Sequence, residues 1–268
     1  MAGLAKTEAF MLNTASLMLG SLADLMVLES ETHGVGLVKN LTFKSAPSFT
    51  ELSQGVKNTL VASTMTGNDV TLDGEIYEYT GKNVSYAAGL NGSTLVASTV
   101  KNIAGVIATT TTVTVATEDL SKFTAGAEGV GDRVMIQMGD DDQVMIRRIT
   151  TAATDTLTFD TALPTSFAVA AAVKISKCNN IAIGSLADQP YLSCKVVGKL
   201  ANGDPVVILL PKIRVVSGLN FAFKTDSFDH IPVNIKAYDL VTTDPFYTMF
   251  QKVGLEQQPA KAMLSTVQ

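Results

Sequence analysis

Charge is scarce in this chain. Asp, Glu, Lys and Arg together make up 17% of the residues, against about 25% in an ordinary soluble protein. A surface with so few charges stays in solution most simply when copies of the same chain cover it. The other apolar solution, a membrane span, finds no segment to make it. The longest apolar runs, such as Val206–Leu210 and Phe167–Val173, fall far short of the roughly 20 residues that cross a bilayer as a helix. A clean signal peptide is lacking too, because Glu8 precedes Phe10–Leu12 and Asp24 breaks the next apolar stretch. No membrane insertion is expected. Cysteine is also sparse: Cys178 and Cys194 are too few to staple a chain of 268 residues. They read as reduced thiols, with pairing across neighbouring strands as the other option. Tryptophan is absent, and the two histidines, His33 and His230, are far apart in sequence.

A basic patch is missing as well. Residues 1–104 carry six basic and nine acidic side chains, residues 105–177 again six and nine, and residues 178–268 eight and seven, which sum to the net charge of −5. That distribution argues against a protein that grips nucleic acid. A mildly acidic protein can still handle DNA if its task is to let DNA pass without sticking.

Catalytic signatures are equally absent. The chain has no GxSxG, HExxH, GxxxxGK[ST] or CxxC pattern. The Gly129–Arg133 segment GVGDR is Gly-rich but does not sit between a strand and a helix, so it reads as a turn. Asp140, Asp141 and Asp142 are adjacent, without the spaced acids, central Gly and closing Glu of an EF-hand, and read as a solvated hairpin turn. His33 in ETHG and His230 in FDHIP have no partner marked by spacing. No catalytic, cofactor or metal residues are assigned, and the chain is read as a non-enzyme.

Strand patterns dominate what is present. Val35–Phe49 alternates loosely. Val70–Tyr79 sets Val70, Leu72, Ile76 and Tyr77 among the acids Asp73, Glu75 and Glu78, with Gly74 shifting the alternation as a bulge would. Val206–Val216, Leu219–Lys224 and Ile231–Leu240 are three further strand candidates. Turn signals lie at Gly67-Asn68-Asp69, Asn91-Gly92 and Asn202-Gly203-Asp204, the last predicting a hairpin between Cys194–Leu200 and Val206–Val216. One short helix is expected over Thr80–Gly89, capped by Thr80, ended by Gly89, with Val84 and Ala87 or Ala88 facing inward. Leu17–Leu28 is compatible with helix or strand, Gly20 weighing against helix. Between the outer segments, residues 107–176 change in composition and read as short strands joined by tight turns. The expected fold is mainly β: a sandwich or barrel core over residues 1–106 and 177–268, one short flanking helix, and an inserted small β-barrel or sandwich over 107–176.

The outer segments, in this order, resemble phage tail tube proteins. The pattern is a Gly-containing N-terminus, the strand GLVKNLTF, a long polar excursion from Ser45 to Asn68, and the strand VTLDGEIYEYT leading into the helix KNVSYAAG. Closing strands follow through Ile213–Phe223 and HIPVNIKAYD. The resemblance is one of pattern and segment order over 1–104 and 178–268, and the insertion departs from the minimal family pattern. It implies a self-assembling subunit of hexameric rings that stack into a tube within the virion tail, assembled in the host cytoplasm. The implied partners are further copies and sheath, tape-measure and baseplate or terminator proteins, with double-stranded DNA passing through unbound. The excursion Ser45–Gly55 would be an arm to the next ring, with Ser45, Phe49, Glu51 and Gln54 as its candidates. It is long for an idle loop. Asp69, Asp73, Glu75 and Glu78 would line the lumen, and the insertion would sit on the outer wall. The alternative is a surface-binding, adhesin-like module of Ig-like β domains with the insertion as its head. That reading asks for exposed aromatic anchors, whereas the insertion's Phe123, Phe159 and Phe167 read as core.

Overall fold

The computed structural model describes residues 11–54, 58–92, 103–109, 111–115, 133–138, 144–153, 155–164, 173–178, 181, 188–221, 228–251 and 260–264. The chain is mainly β and divides into two compact units, Met1–Val96 with Ile181–Gln268, and Ala97–Asn180.

The first unit is one antiparallel sheet. Its strands are β1 (Met11–Ser21), β2 (Val38–Gln54), β3 (Thr59–Ile76), β10 (Leu192–Leu200), β11 (Pro205–Val215), β12 (Ile231–Ala237) and β13 (Lys261–Leu264). Their order is β1-β10-β11-β12-β3-β2, with β13 pairing to the first half of β11, where β12 does not reach. The reason these segments are strands is their period of two. In β12, Ile231, Val233, Ile235 and Ala237 are buried while Asn234 is exposed. The inward residues of β1, β2, β3, β10, β11 and β12 join one core, with Leu17, Leu19, Leu72, Ile76, Cys194, Leu210 and Ile213 nearly inaccessible.

A helix covers that core where a sandwich would set a second sheet. This is α2 (Gly81–Ala87); a shorter helix, α1 (Ser30–His33), precedes it. The Thr80 hydroxyl accepts from the Asn83 N–H at 3.2 Å, and Gly89 leaves the helix at φ +76°. Both expected boundaries of this helix are therefore found. Its inward residues are Tyr86 and Ala87, with Val84 partly buried. The Tyr86 hydroxyl donates to the Leu19 carbonyl at 2.8 Å, and the Asn83 amide donates to the carbonyls of Val35 at 2.9 Å and Glu78 at 2.8 Å. These bonds tie α2 to β1 and to the base of the β2–β3 pair, where β2 begins and β3 ends.

The opposite sheet face is closed at one end by a second cluster. Met18, Leu25, Leu28 and Leu209 pack with Leu240 and Phe250 of the segment that follows β12, which includes α3 (Tyr247–Gln251). A buried ion pair pins that segment: Lys212 Nζ donates to Asp244 Oδ2 at 2.6 Å. Lys212 and Arg214 also lie over the ring of Tyr191, at 4.4 and 4.0 Å.

The second unit is a closed barrel of order β4-β5-β8-β7-β6-β9, made of β4 (Ile103–Thr109), β5 (Thr112–Thr114), β6 (Arg133–Met138), β7 (Val144–Ala153), β8 (Thr156–Phe159) and β9 (Val173–Lys177). Val113, Val134, Ile136, Ile149, Leu157, Phe159 and Ile175 fill it. β6 and β7 pair as expected from their matching Val-Met-Ile triplets. Gly139–Asp142, Gly129-Val130-Gly131-Asp132, Phe123 and Phe167 lie outside the described residues.

Four expectations need correction. The insertion begins before residue 107, because Ile103 and Ala104 already pair with Ile175 and Lys174 of β9. Gly67-Asn68-Asp69 is not a turn: these residues run through β3 opposite Ser48, Pro47 and Ala46. Cross-strand pairing supplies the backbone partners that a local turn would otherwise offer. Gly74 does not shift the alternation either. It keeps the inward phase of Leu72 and Ile76, and the irregularity lies opposite it on β2, between Lys39 and Thr42, where Asn40 has φ +53°. A Cβ at Gly74 would meet Leu41 Cδ1 at 2.9 Å, so the glycine makes room for the bulge of its partner. Finally, Leu219–Phe221 is not strand, and the rest of that predicted run, 222–224, lies outside the described residues. Leu17–Leu28, open between helix and strand, is strand to Ser21 and then a 3-10 turn at Leu22–Asp24.

The Lys212–Asp244 pair yields a stability prediction. Burial opposes the Asp244 charge. The hydrogen bonds from Lys212 and the Val241 N–H, with the lysine's charge, outweigh it and hold the carboxyl below its usual range. A depressed folded pKa contributes stability above the unfolded value of about 3.9, and that contribution disappears as pH falls through the folded value. Urea unfolding followed downward from about pH 5 should show this loss in the native chain, and Asp244→Asn should flatten it. At neutral pH, Lys212→Met leaves a largely buried carboxylate with only the Val241 N–H as partner and should cost about 3 kcal/mol.

Candidate functional site

The feature without a structural home is the distal part of the β2–β3 hairpin. From Lys44 to Asp69, every residue whose side chain is described is exposed. The eleven residues from Lys44 to Gln54 extend the ribbon by about 35 Å. Phe49 is 56% exposed, Leu52 63%, Leu60 52%, Val61 57% and Met65 53%. Phe49 stands directly opposite Met65, which makes an apolar cross-strand pair with nothing of its own chain above it.

The arm candidates therefore lie on a paired ribbon, not on an irregular excursion. Ser45 donates its hydroxyl hydrogen to the Asn68 side-chain oxygen at 3.0 Å. Glu51 faces Ser63, and Gln54 closes the described ladder opposite Thr59. Pro47 is tolerated because β2 is an edge strand.

Of the four lumen candidates, three share a face. Asp73 and Glu75 alternate with the buried Leu72 and Ile76 and so point away from the core. Asp69, two positions further along β3 from Thr71, continues that row. Glu78 lies past the end of β3 and accepts from the Leu37 N–H at 2.9 Å, so it fastens a loop and does not join the row.

Two of the three carboxylates on the row meet a lysine from another strand, and the third meets His230, just before β12. Asp69 pairs with Lys236 of β12 at 3.0 Å and Asp73 with Lys44 of β2 at 3.2 Å. Glu75 Oε2 accepts from the Asn40 amide at 2.9 Å and the Tyr77 hydroxyl at 3.0 Å, while His230 Nε2 lies 3.7 Å from its other oxygen. The Asn40 hydrogen bond leads the effects that keep the Glu75 carboxyl below its usual range, against a smaller effect of burial. Asp69 raises the Lys236 ammonium pKa above its usual range by hydrogen bond and charge. Lys39 sits over the Tyr77 ring at 4.7 Å. The face expected to be acidic is a ladder of opposite charges.

Sequence reasoning missed Lys39, Lys44, Lys236 and His230 as members of this set. Alternation was an available signal for Lys44 on β2 and Lys236 on β12, whereas Lys39 reaches the same face only through the bulge between Lys39 and Thr42, which no alternation announces. The two cysteines are free thiols in different units, and burial raises both pKa values. Among the described residues, no group of three His, Cys, Asp or Glu side chains could hold a metal. Among them also, no helix is long and apolar enough to cross a membrane.

No family model matches the chain, and no curated protein is similar to it in sequence.

The ladder predicts a small, salt-sensitive coupling. In a double-mutant cycle of Lys44→Ala and Asp73→Asn, urea unfolding should give a coupling of about 0.2–1 kcal/mol that shrinks in 1 M salt. A coupling unaffected by salt would mean that the two side chains interact through packing.

Proposed function

We propose that the chain is a structural subunit that assembles with copies of itself, and specifically a subunit of a phage tail tube that stacks as hexameric rings around a DNA channel. The observation that carries this reading is the protruding hairpin. Two strands alone are marginal in water, and this pair continues well past the sheet with five large apolar side chains exposed. A neighbouring copy is the natural cover for such a ribbon. The edge position of β2 supports the same reading, since an edge strand joins others edge to edge unless something prevents it, and a head-to-tail contact gives a ring when its rotation closes.

The fold supports the resemblance in segment order: a long hairpin, a short helix directly after it and closing antiparallel strands around one core. The role implied is passive. DNA passes along an inner wall formed by the outward row of β3, and the barrel thickens the outer wall. Sheath, tape-measure and baseplate or terminator proteins would be the further partners in the virion. The adhesin-like reading wants aromatic anchors on the inserted barrel, whereas its one described phenylalanine, Phe159, is in the barrel core.

Negative-stain electron microscopy of the purified chain at rising concentration tests this. Rings or hollow tubes with an axial repeat are expected. Phe49→Asp with Leu52→Asp should remove the tubes while leaving the urea unfolding midpoint nearly unchanged, because both side chains are already in water in the isolated chain. A chain that stays monomeric at high concentration, also when offered preformed tail-tip complexes as nuclei, would overturn the proposal.

A further inference from the structure

Apart from Lys212, which Asp244 neutralises at 2.6 Å, the outward face of β11, β12, β3 and β2 carries four strong cations, Lys39, Lys44, Arg214 and Lys236, against three carboxylates, Asp69, Asp73 and Glu75. The strand registers fix this. Arg214 stands opposite Lys236, Asn234 opposite Asp73, and Lys39 opposite Glu75. By formal count the face is slightly positive, although the whole chain is at −5. Asp69 meets Lys236 of β12 at 3.0 Å and Asp73 meets Lys44 of β2 at 3.2 Å, while Glu75 lies 3.7 Å from His230, just before β12.

We infer that Asp69, Asp73 and Glu75 act as a charge mask, and that the surface beneath them is a latent binding strip for the phosphate backbone of double-stranded DNA. The inference rests on the proposal that DNA passes along this face. It changes what the acids are for. A row of free carboxylates would repel DNA outright. A row in which Asp69 and Asp73 each hold a lysine, and Glu75 lies in the field of Lys39, instead weakens the field of the cations, so that DNA is neither held nor excluded. Lys44 and Lys236 approach β3 from its two sides, Lys39 follows along β2, and Arg214 extends the row across β12. With the carboxylates neutralised, these four cations form one continuous patch spanning four strands. Double-stranded DNA carries a charge every ~1.7 Å and releases counterions for each phosphate neutralised, so such a patch would hold it. The protein retains the cations because opposite charges across strands stabilise a sheet slightly.

The test uses dispersed chain, so that no tube is needed. Asp69→Asn, Asp73→Asn and Glu75→Gln are combined, and binding to a fluorescent double-stranded DNA fragment is read by anisotropy over a salt series. The control combines Glu31→Gln, Asp188→Asn and Asp239→Asn, exposed carboxylates elsewhere on the chain, and makes the same change in net charge. The masked-face variant should bind about tenfold or more tightly than the control at low salt, with a log–log salt dependence steeper by about 3. Binding no tighter than the control overturns the inference, because the carboxylates would then matter only through net charge. Should the triple variant fail to fold, Asp69→Asn with Asp73→Asn decides, since it spares the hydrogen bonds of Glu75 to Asn40 and Tyr77. Gain of DNA binding in a chain that never forms tubes would uphold the mask and remove the tube. Tubes without that gain would do the reverse.

Discussion

Strand β3 has two kinds of neighbour, and the rest of the structure depends on that difference. Over Thr71–Ile76 it lies between β12 and β2, and over its first half it has β2 alone. Where it has two partners and a covering helix, and at Val70 on the boundary, alternate side chains are buried, as Val70, Leu72 and Ile76 are. Where it has one, both faces are open, and the same alternation produces only exposed positions. Phe49, Leu52 and Met65 are thus in water because a two-stranded ribbon has no inside. A chain poor in charge that spends large apolar residues there is built for contact with something else.

The base of that hairpin is held unusually firmly for so slender a projection. Asn83 satisfies two backbone carbonyls from inside the core, Tyr86 satisfies a third, and Thr80 caps the helix that carries both. A buried polar group left without partners costs about 1–3 kcal/mol, so these bonds fix the angle at which the helix sits. On the opposite face the Lys212–Asp244 pair holds Leu240 and Phe250 over Leu209. The hairpin emerges from a sheet clamped on both sides, which fixes the direction in which it points.

Much of this was legible in the sequence, for reasons of period and capping. Ile231–Ala237 and Val206–Val215 show their strands directly, Asn202-Gly203-Asp204 marks its hairpin, and Thr80 and Gly89 bracket the helix. The hairpin's true extent was not legible. Gly67-Asn68-Asp69 carries strong turn chemistry, and only its pairing with Ser48, Pro47 and Ala46 overrides it. Such pairing is a non-local fact that no window of residues contains. Tyr86 was missed as a core residue because, in a helix this short, the inward face follows from the covered sheet more than from its own periodicity. The barrel's start at β4 was missed because the Thr-rich border at Thr109–Thr112 looks like a boundary and is in fact the turn between two of its strands.

The site shows the same limit more sharply. Alternating acids at Asp73 and Glu75 announce an outward face, and that much follows from a period of two. What the face does depends on which bases stand beside those acids. Lys44 is 29 positions from Asp73 along the chain, and Lys236 arrives from β12, far beyond the inserted unit. Such exposed pairs are worth at most about 1 kcal/mol each in stability. Their effect on the potential is larger, because opposite charges about 3 Å apart leave only a dipole, whose potential falls off faster with distance than that of a lone charge and is screened further beyond a Debye length of ~8 Å in physiological salt. Weak bonds for the fold are therefore strong determinants of what a passing polyanion experiences. The cancellation requires the register between β2, β3 and β12 to be held, which links the neutrality of the face to the core on the other side of the same strands.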